Sequence, residues 1–235
     1  MNCHGNPKNS CMGAYGNTLD IKITDECNGK CRFCIETGGK KSKSKPVEDL
    51  IKAVEVVNPS SVLILGGEPT MYPDLVKLLK NIQQKDRKIF LTTNGSSLYN
   101  FALMGVLGEF LDGINISLHH YDLDINYKVT GIDLEYMEIQ EAIKILHKGK
   151  TQVRINSLLL KGYLDNFDDC WDMADFAGEL KADWIRFSEV QQCPSMYVDA
   201  RTIFDDLTDN PFVDGCEQEV DFMDLAIKAT VKLLS

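Results

Sequence analysis

The chain has 235 residues, 44% of them hydrophobic, which is enough for a sizeable core and excludes a disordered or fibrous protein. Against 25 basic side chains stand 35 acidic ones, and the formal charge of -10 gives no global attraction for nucleic-acid phosphates, so nucleic acid is an unlikely partner on charge grounds. No stretch is long and apolar enough to cross a bilayer, and the polar, glycine-rich residues 1–16 lack the apolar core of an export signal. The expectation is a cytoplasmic chain, away from any membrane, whose eight cysteines stay reduced and available to metal.

Apolar, often β-branched runs alternate with helical patterns about six times along the chain. The first strand is read over 19–24 and leads into a cysteine-bearing loop. Lys40, Lys41, Lys43 and Lys45, interleaved with Ser42 and Ser44, then read as a solvated loop; their alternative role is a local phosphate contact. Pro46 and Val47 open a helix reaching about residue 57, and a strand over 61–65 runs straight into Gly66 and Gly67. A helix over 73–84 carries Leu75, Leu78, Leu79 and Ile82 at helical spacing, and a strand over 88–92 ends at the turn Asn94-Gly95. A helix over 98–110, a strand over 113–118 and a helix over 134–148 follow. The series closes with a strand over 151–160, an acidic helix over 166–180 and a strand over 184–190.

This alternation predicts an α/β fold with parallel strands and right-handed crossovers, either a partial (β/α)6 TIM-type barrel or a doubly wound sheet. From Leu225 the period changes to two: Leu225, Ile227, Ala229, Val231 and Leu233 alternate with mostly polar neighbours. A strand hairpinned with 219–222 is expected there, with a helix as the alternative. The predicted organisation is an N-terminal extension over 1–18, the barrel over 19–190, and a short C-terminal β extension over 191–235, appended to the repeating units.

Cys27, Cys31 and Cys34 place three thiols in the loop after the first strand. Thiolates are soft ligands that suit an iron–sulfur cluster or zinc. Three ligands from one loop cap one face of a cubane and leave the fourth iron without a local ligand. A structural zinc site completed by Cys3, His4 or Cys11 is the alternative, although zinc ligands more often come as two short pairs.

Cys27-x3-Cys31-x2-Cys34 in the first βα loop, followed one unit later by Gly66-Gly67-Glu68-Pro69, resembles the radical S-adenosylmethionine (SAM) superfamily. The resemblance covers about 19–190. Within it, the MoaA-like and peptide-maturase-like branches look most similar, through Thr92-Thr93-Asn94-Gly95, Ile116-Ser117-Leu118 and Ile185-Arg186-Phe187. It implies a [4Fe–4S] cluster on Cys27, Cys31 and Cys34, with SAM bound to the open iron and cleaved to a 5′-deoxyadenosyl radical. It also implies that Phe33 packs near the adenine and that Gly66, Gly67 and Glu68 hold the methionine amino group, with Pro69 stiffening the turn. Ser117 is the first expectation for a ribose or carboxylate contact and Thr93 the second; Asn94 is equally a turn former. Arg154 and Asn156 alternate with Val153 and Ile155, so both can face the barrel interior; a surface salt bridge is the alternative for Arg154.

His119 and His120 follow the fourth strand, where relatives often carry an acidic residue. A proton carrier or adenine neighbour is one reading and a solvated loop histidine the other. Glu189 and Cys193, at and beyond the sixth strand, are further catalytic candidates, Cys193 as a hydrogen-atom donor or a ligand of an auxiliary iron–sulfur cluster with Cys216. Cys170, beside Trp171, reads as core packing. The implied partners are a flavodoxin- or ferredoxin-type electron donor and a small-molecule, nucleotide or peptide substrate. A leader-binding domain of the kind peptide maturases carry finds no room before Leu19. A glycyl-radical-enzyme activase and a non-catalytic iron–sulfur or zinc protein are the competing classes.

Overall fold

The structure is a computed structural model that describes residues 17–35, 44–205, 217–222, 225 and 227–233. Strands and helices alternate as β1 (Thr18–Lys22), α1 (Val47–Val57), β2 (Ser61–Leu65), α2 (Leu75–Ile82), β3 (Lys88–Thr93), α3 (Phe101–Phe110) and β4 (Gly113–Ser117). There follow α4 (Leu123–Thr130), α5 (Tyr136–Lys148), β5 (Gln152–Leu159), α6 (Phe167–Glu179), β6 (Trp184–Glu189), a short α7 (Arg201–Phe204), β7 (Glu217–Val220) and β8 (Lys228–Lys232). The strands form one sheet in the order β1-β2-β3-β4-β5-β6-β8-β7. Neighbours from β1 to β6 are parallel, the pattern expected of βαβ crossovers. With β1 at one edge and β7 at the other, the sheet is an open, partial barrel.

The pleat separates two kinds of surface. On the helix-facing side lie Val62, Ile64, Ile89, Leu91, Ile114, Ile116, Val153, Ile155, Ile185 and Phe187, all buried. They form one core with Leu78 and Leu79 of α2, Leu107 of α3, Ile143 and Leu146 of α5, and Met173 of α6. The opposite face is mixed, with Leu63, Phe90 and Leu158 beside two rows of polar side chains. Thr92, Asn115 and Arg154 stand in register across β3 to β5, as do Ser117, Asn156, Arg186 and Thr230 across β4, β5, β6 and β8. Barrels filled by their own side chains carry branched apolar layers there; this one carries hydrogen-bonding rows across β3 to β8 as well.

Two expectations need correction. The period-two segment does form a strand hairpinned with β7, but β8 is not an appendage: it pairs in parallel with β6 and extends the main sheet. The alternation of Ala229 and Val231 with Lys228 and Thr230 fits that position, buried on the helix side and polar on the other. Glu217 of β7 reaches across the inner face, accepting from Thr230 Oγ1 at 2.6 Å and lying 3.7 Å from Arg154 Nη1 and 3.5 Å from Arg186 Nη1. The second correction is α4, which the apolar periodicity does not reveal. Its ends are marked instead by Asp122, which accepts from the backbone of Asp124 and Ile125, and by Gly131 in the left-handed region at φ 71°.

Candidate metal and cofactor site

The cysteine loop and the glycine turn are built as one unit. Beyond β1 the chain keeps pairing with the segment after β2: Ile23 N–H donates to Leu65 O at 2.9 Å, Gly67 N–H to Thr24 O at 2.8 Å, and Glu68 N–H to Glu26 O at 2.7 Å. The next residue is Cys27. This approach requires both glycines, since a Cβ on Gly66 would press on the Thr24 carbonyl and one on Gly67 would collide with that of Glu26. Pro69, buried, then begins the short 3₁₀ turn Pro69–Met71.

All three cysteines are half-buried. The site of a Cβ on Gly29 lies 3.4 Å from Cys27 Sγ and 3.6 Å from Cys31 Sγ, so the two sulfurs border the same small space. Gly29 N–H points at Cys27 Sγ at 3.3 Å, and the Cys31 thiol points at Thr130 O, 3.7 Å away. That carbonyl also accepts from Lys30 N–H at 2.7 Å, so the end of α4 supports the loop. Burial, then the neighbouring Cys34 and Cys27, push the Cys31 thiol up to about 11. A bound cation reverses this balance and holds the sulfurs as thiolates. Among the described residues no three Cys, His, Asp or Glu side chains converge on a single ion. The thiol-only donor set suits a cubane, whose irons occupy separate corners.

Glu68 is fully buried, and both carboxylate oxygens are hydrogen-bonded. Oε1 accepts from Thr70 N–H at 3.0 Å, Thr70 Oγ1 at 2.7 Å and Thr93 Oγ1 at 2.7 Å, while Oε2 accepts from Asn94 N–H at 2.6 Å. Glu68 fastens the β2 turn to the end of β3. The Thr93 hydroxyl donates to Glu68, accepts from Gly95 N–H, and lies on the helix-facing side of β3. Asn94 is a turn former, its Oδ1 accepting from Ser96 N–H, and a brace as well. Its Nδ2 donates to Asn28 Oδ1 at 2.9 Å and lies 3.8 Å from Cys27 Sγ.

At the mouth, Phe33 meets the His119 ring edge-on, with centroids 4.9 Å apart. His119 and His120 are both buried, which replaces the solvated-loop alternative. His119 Nδ1 accepts from Leu158 N–H at 3.1 Å, its own N–H donates to Asn126 Oδ1 at 2.9 Å, and burial holds its pKa down at about 4. His120 Nδ1 accepts from Asp122 N–H, so this second histidine steadies the start of α4. Ser117 and Asn156 stand opposite each other on the inner face, both half-buried, and Asn156 Oδ1 is a buried acceptor with no partner. Arg154 lies deeper, its Nε donating to Asn115 Oδ1 at 3.0 Å; it forms a buried pair with Glu217, not a surface salt bridge.

Glu189 is not brought to the mouth. Pleat alternation puts it on the helix-facing side with Ile185 and Phe187, where Oε1 accepts from Ala200 N–H at 3.0 Å and Tyr197 Oη at 3.2 Å. Cys193 packs with Phe33 and Met196 against Val129, Leu160 and Val190, its sulfur 3.8 Å from Ser195 Oγ. Cys170 is core packing in α6, its thiol pushed up by burial. Cys3, His4, Cys11, Cys216, Lys40, Lys41 and Lys43 lie outside the described residues. A shallow basin lined by Lys85, Arg87, Lys88 and Asp112 lies at the other end of the strands, away from the cysteines. Arg87 there donates to Pro59 O and Ile82 O, and Lys88 pairs with Asp112.

The sequence motifs did not point to Asn126 and Thr130, which join α4 to His119 and to the cysteine loop, nor to Asn115 and Glu217. The caps at Asp122 and Gly131 are the signal that marks α4 and hence the first two.

The family model of the Radical SAM superfamily matches residues 21–177, from β1 into α6. The chain belongs to the radical SAM superfamily. It is 33% identical to a probable GTP 3′,8-cyclase of Thermococcus kodakarensis over 169 residues, which cover 68% of this chain and 53% of that protein. With the GTP 3′,8-cyclase of Aquifex aeolicus it shares 29% identity over 197 residues, 80% of this chain and 58% of the relative. The chain thus spans about half the length of the curated relatives it matches. Among solved structures, Streptococcus suis SuiB bound to precursor peptide SuiA superposes with a TM-score of 0.65 at 23% identity, over 82% of this chain and 44% of SuiB. A radical SAM methyltransferase from Sphaerobacter thermophilus gives 0.61 at 13% identity, over 92% and 66%. At these identities the structural neighbours establish the shared fold.

Proposed function

We propose that this chain uses a [4Fe–4S] cluster on Cys27, Cys31 and Cys34 to cleave SAM reductively, generating a 5′-deoxyadenosyl radical that acts on a nucleotide, peptide or small-molecule substrate. The observation that carries this reading is the backbone ladder that locks Gly66-Gly67-Glu68 to Thr24–Glu26, immediately before the first thiol. The protein's part is to bind, orient and exclude water. The backbone carbonyls at Gly66 and Gly67 are the acceptors for the methionine ammonium, with Glu68 and Pro69 fixing the turn that presents them. Phe33 offers its ring to the adenine. Ser117 and Asn156 supply a polar ledge for the ribose or the carboxylate, and Asn94 braces the loop at Cys27.

The curated relatives carry the name GTP 3′,8-cyclase, which makes a nucleotide the first substrate class to test. A flavodoxin- or ferredoxin-type donor is the proposed electron source and the cytoplasm the proposed compartment. No helix among the described residues is long and apolar enough to cross a membrane. Any auxiliary cluster would need Cys193 together with cysteines outside the described residues, such as Cys216. Cys193 otherwise stands as a hydrogen-atom donor beside Phe33.

The test is anaerobic reconstitution with iron and sulfide, then dithionite and SAM, with 5′-deoxyadenosine quantified by chromatography. Product is expected from the wild type, while Cys31→Ala should lose both the cluster absorbance and the product. A fully loaded wild type that releases no 5′-deoxyadenosine would instead mark a non-catalytic iron–sulfur protein.

A further inference from the structure

His119 presents one nitrogen that the fold does not use. It lies just beyond β4 on the inner-face side of the pleat, 5% exposed, with its ring fixed from two directions. Leu158 N–H occupies Nδ1, and the Phe33 ring sets the tilt at 81°. Burial keeps the imidazole neutral. A neutral ring that accepts at Nδ1 carries its proton on Nε2. None of the hydrogen bonds among the described residues uses that nitrogen. Nε2–H is therefore a donor without a protein partner among those residues, on a side chain that is otherwise packed and fixed.

A second observation points to a ligand. Asn156 Oδ1, on the neighbouring strand and in register with Ser117, is a buried acceptor without a partner. One open donor thus lies just beyond β4, against the aromatic residue of the cysteine loop, and one open acceptor lies on the neighbouring β5. A purine base has a flat face and an edge on which ring-nitrogen acceptors neighbour an amine donor.

We propose that His119 Nε2–H is a hydrogen-bond donor to a ring nitrogen of the SAM adenine, and so determines specificity for the cofactor's base. This rests on the SAM reading given above. The fixed tautomer makes His119 a one-way donor: it favours an acceptor at that point of the ligand and disfavours a C–H there.

The test measures SAM affinity by equilibrium dialysis on the cluster-loaded full chain, alongside the 1-deaza, 3-deaza and 7-deaza adenine analogues. His119→Asn keeps an acceptor for Leu158 N–H and withdraws the donor from the Nε2 position, while His119→Gln restores a donor near it. One deaza analogue is expected to bind the wild type about threefold to tenfold more weakly than SAM, the range for one neutral hydrogen bond. His119→Asn should bind SAM weaker by the same factor and no longer distinguish that analogue, with His119→Gln recovering part of the difference. Equal binding of SAM and all three analogues by the wild type overturns the proposal, as does a stably folded His119→Asn with unchanged affinity. If His119→Asn fails to hold its cluster, the wild-type analogue series decides alone. A cluster-loaded wild type that binds no SAM overturns the SAM reading itself, and this inference with it.

Discussion

Glu68 shows how a side chain in a recognisable motif can serve the scaffold. Its two oxygens accept from four donors on two segments, Thr70 and Thr93-Asn94, and all four would lose this acceptor together in Glu68→Ala. Hydrogen bonds to a buried charged group are the strong kind, so the loss should reach about 3 kcal/mol or more. Urea denaturation followed by circular dichroism checks it; a loss below about 1 kcal/mol would mean that the carboxylate is available for a ligand after all. His119 makes a second residue-scale prediction. Its folded pKa lies at about 4 against an ordinary 6.5, because burial disfavours the charged ring. The unfolded chain then binds the extra proton between pH about 6.5 and about 4, so stability is complete above that window and falls through it as the pH drops. The difference amounts to roughly 3 kcal/mol. His119→Asn should flatten this part of the stability–pH curve, and identical curves for the two proteins would disprove the buried neutral ring.

At the scale of elements, the turn between β2 and α2 and the loop after β1 stand or fall together. Gly67→Ala puts a methyl group into the Glu26 carbonyl, and relief requires parting the ladder that ends at Cys27. The expected outcome is a chain that still folds but incorporates far less cluster, read as iron and sulfide per protein after reconstitution; full incorporation would show that the ladder is not needed. The strands of this architecture were legible because each buries one face, so β-branched runs such as 61–65 and 113–118 announce themselves. The thiols and glycines were legible too, since their chemistry depends on chain spacing. Helix α4 was not, because Leu123-Asp-Ile-Asn-Tyr-Lys-Val-Thr130 mixes β-branched and polar residues without a clean apolar stripe. Glu189 was read at the mouth from its place at the end of the sixth strand, whereas pleat parity and its hydrogen bonds to Ala200 and Tyr197 turn it to the scaffold. Such parity shifts with each strand end, and sequence spacing leaves those ends uncertain by a residue or two.

For the molecule as a whole, the open question of an incomplete barrel is what holds its far edge. Here β8 adds a parallel strand to β6, and antiparallel β7 closes the series with Glu217 reaching back over the inner face. That carboxylate faces Arg154 and Arg186 and accepts from Thr230, joining strands from four positions in the sheet. The separations of 3.7 Å and 3.5 Å are long for ion pairs, but the Arg154 side chain is 4% exposed and that of Glu217 12%, so solvent screens them weakly. Removing the negative charge leaves two guanidinium groups close together in a poorly hydrated interior, and the penalty comes mainly from that uncompensated charge. Glu217→Gln should therefore cost about 2 kcal/mol in chemical denaturation, while leaving the thiol loop able to take up iron. The double variant Arg186→Met/Glu217→Gln should recover a part of the loss, because it removes one of the stranded cations. Strictly additive losses in the double variant would show that Glu217 and Arg186 act independently, and the inner-face link of β7 would then rest on Arg154 and Thr230.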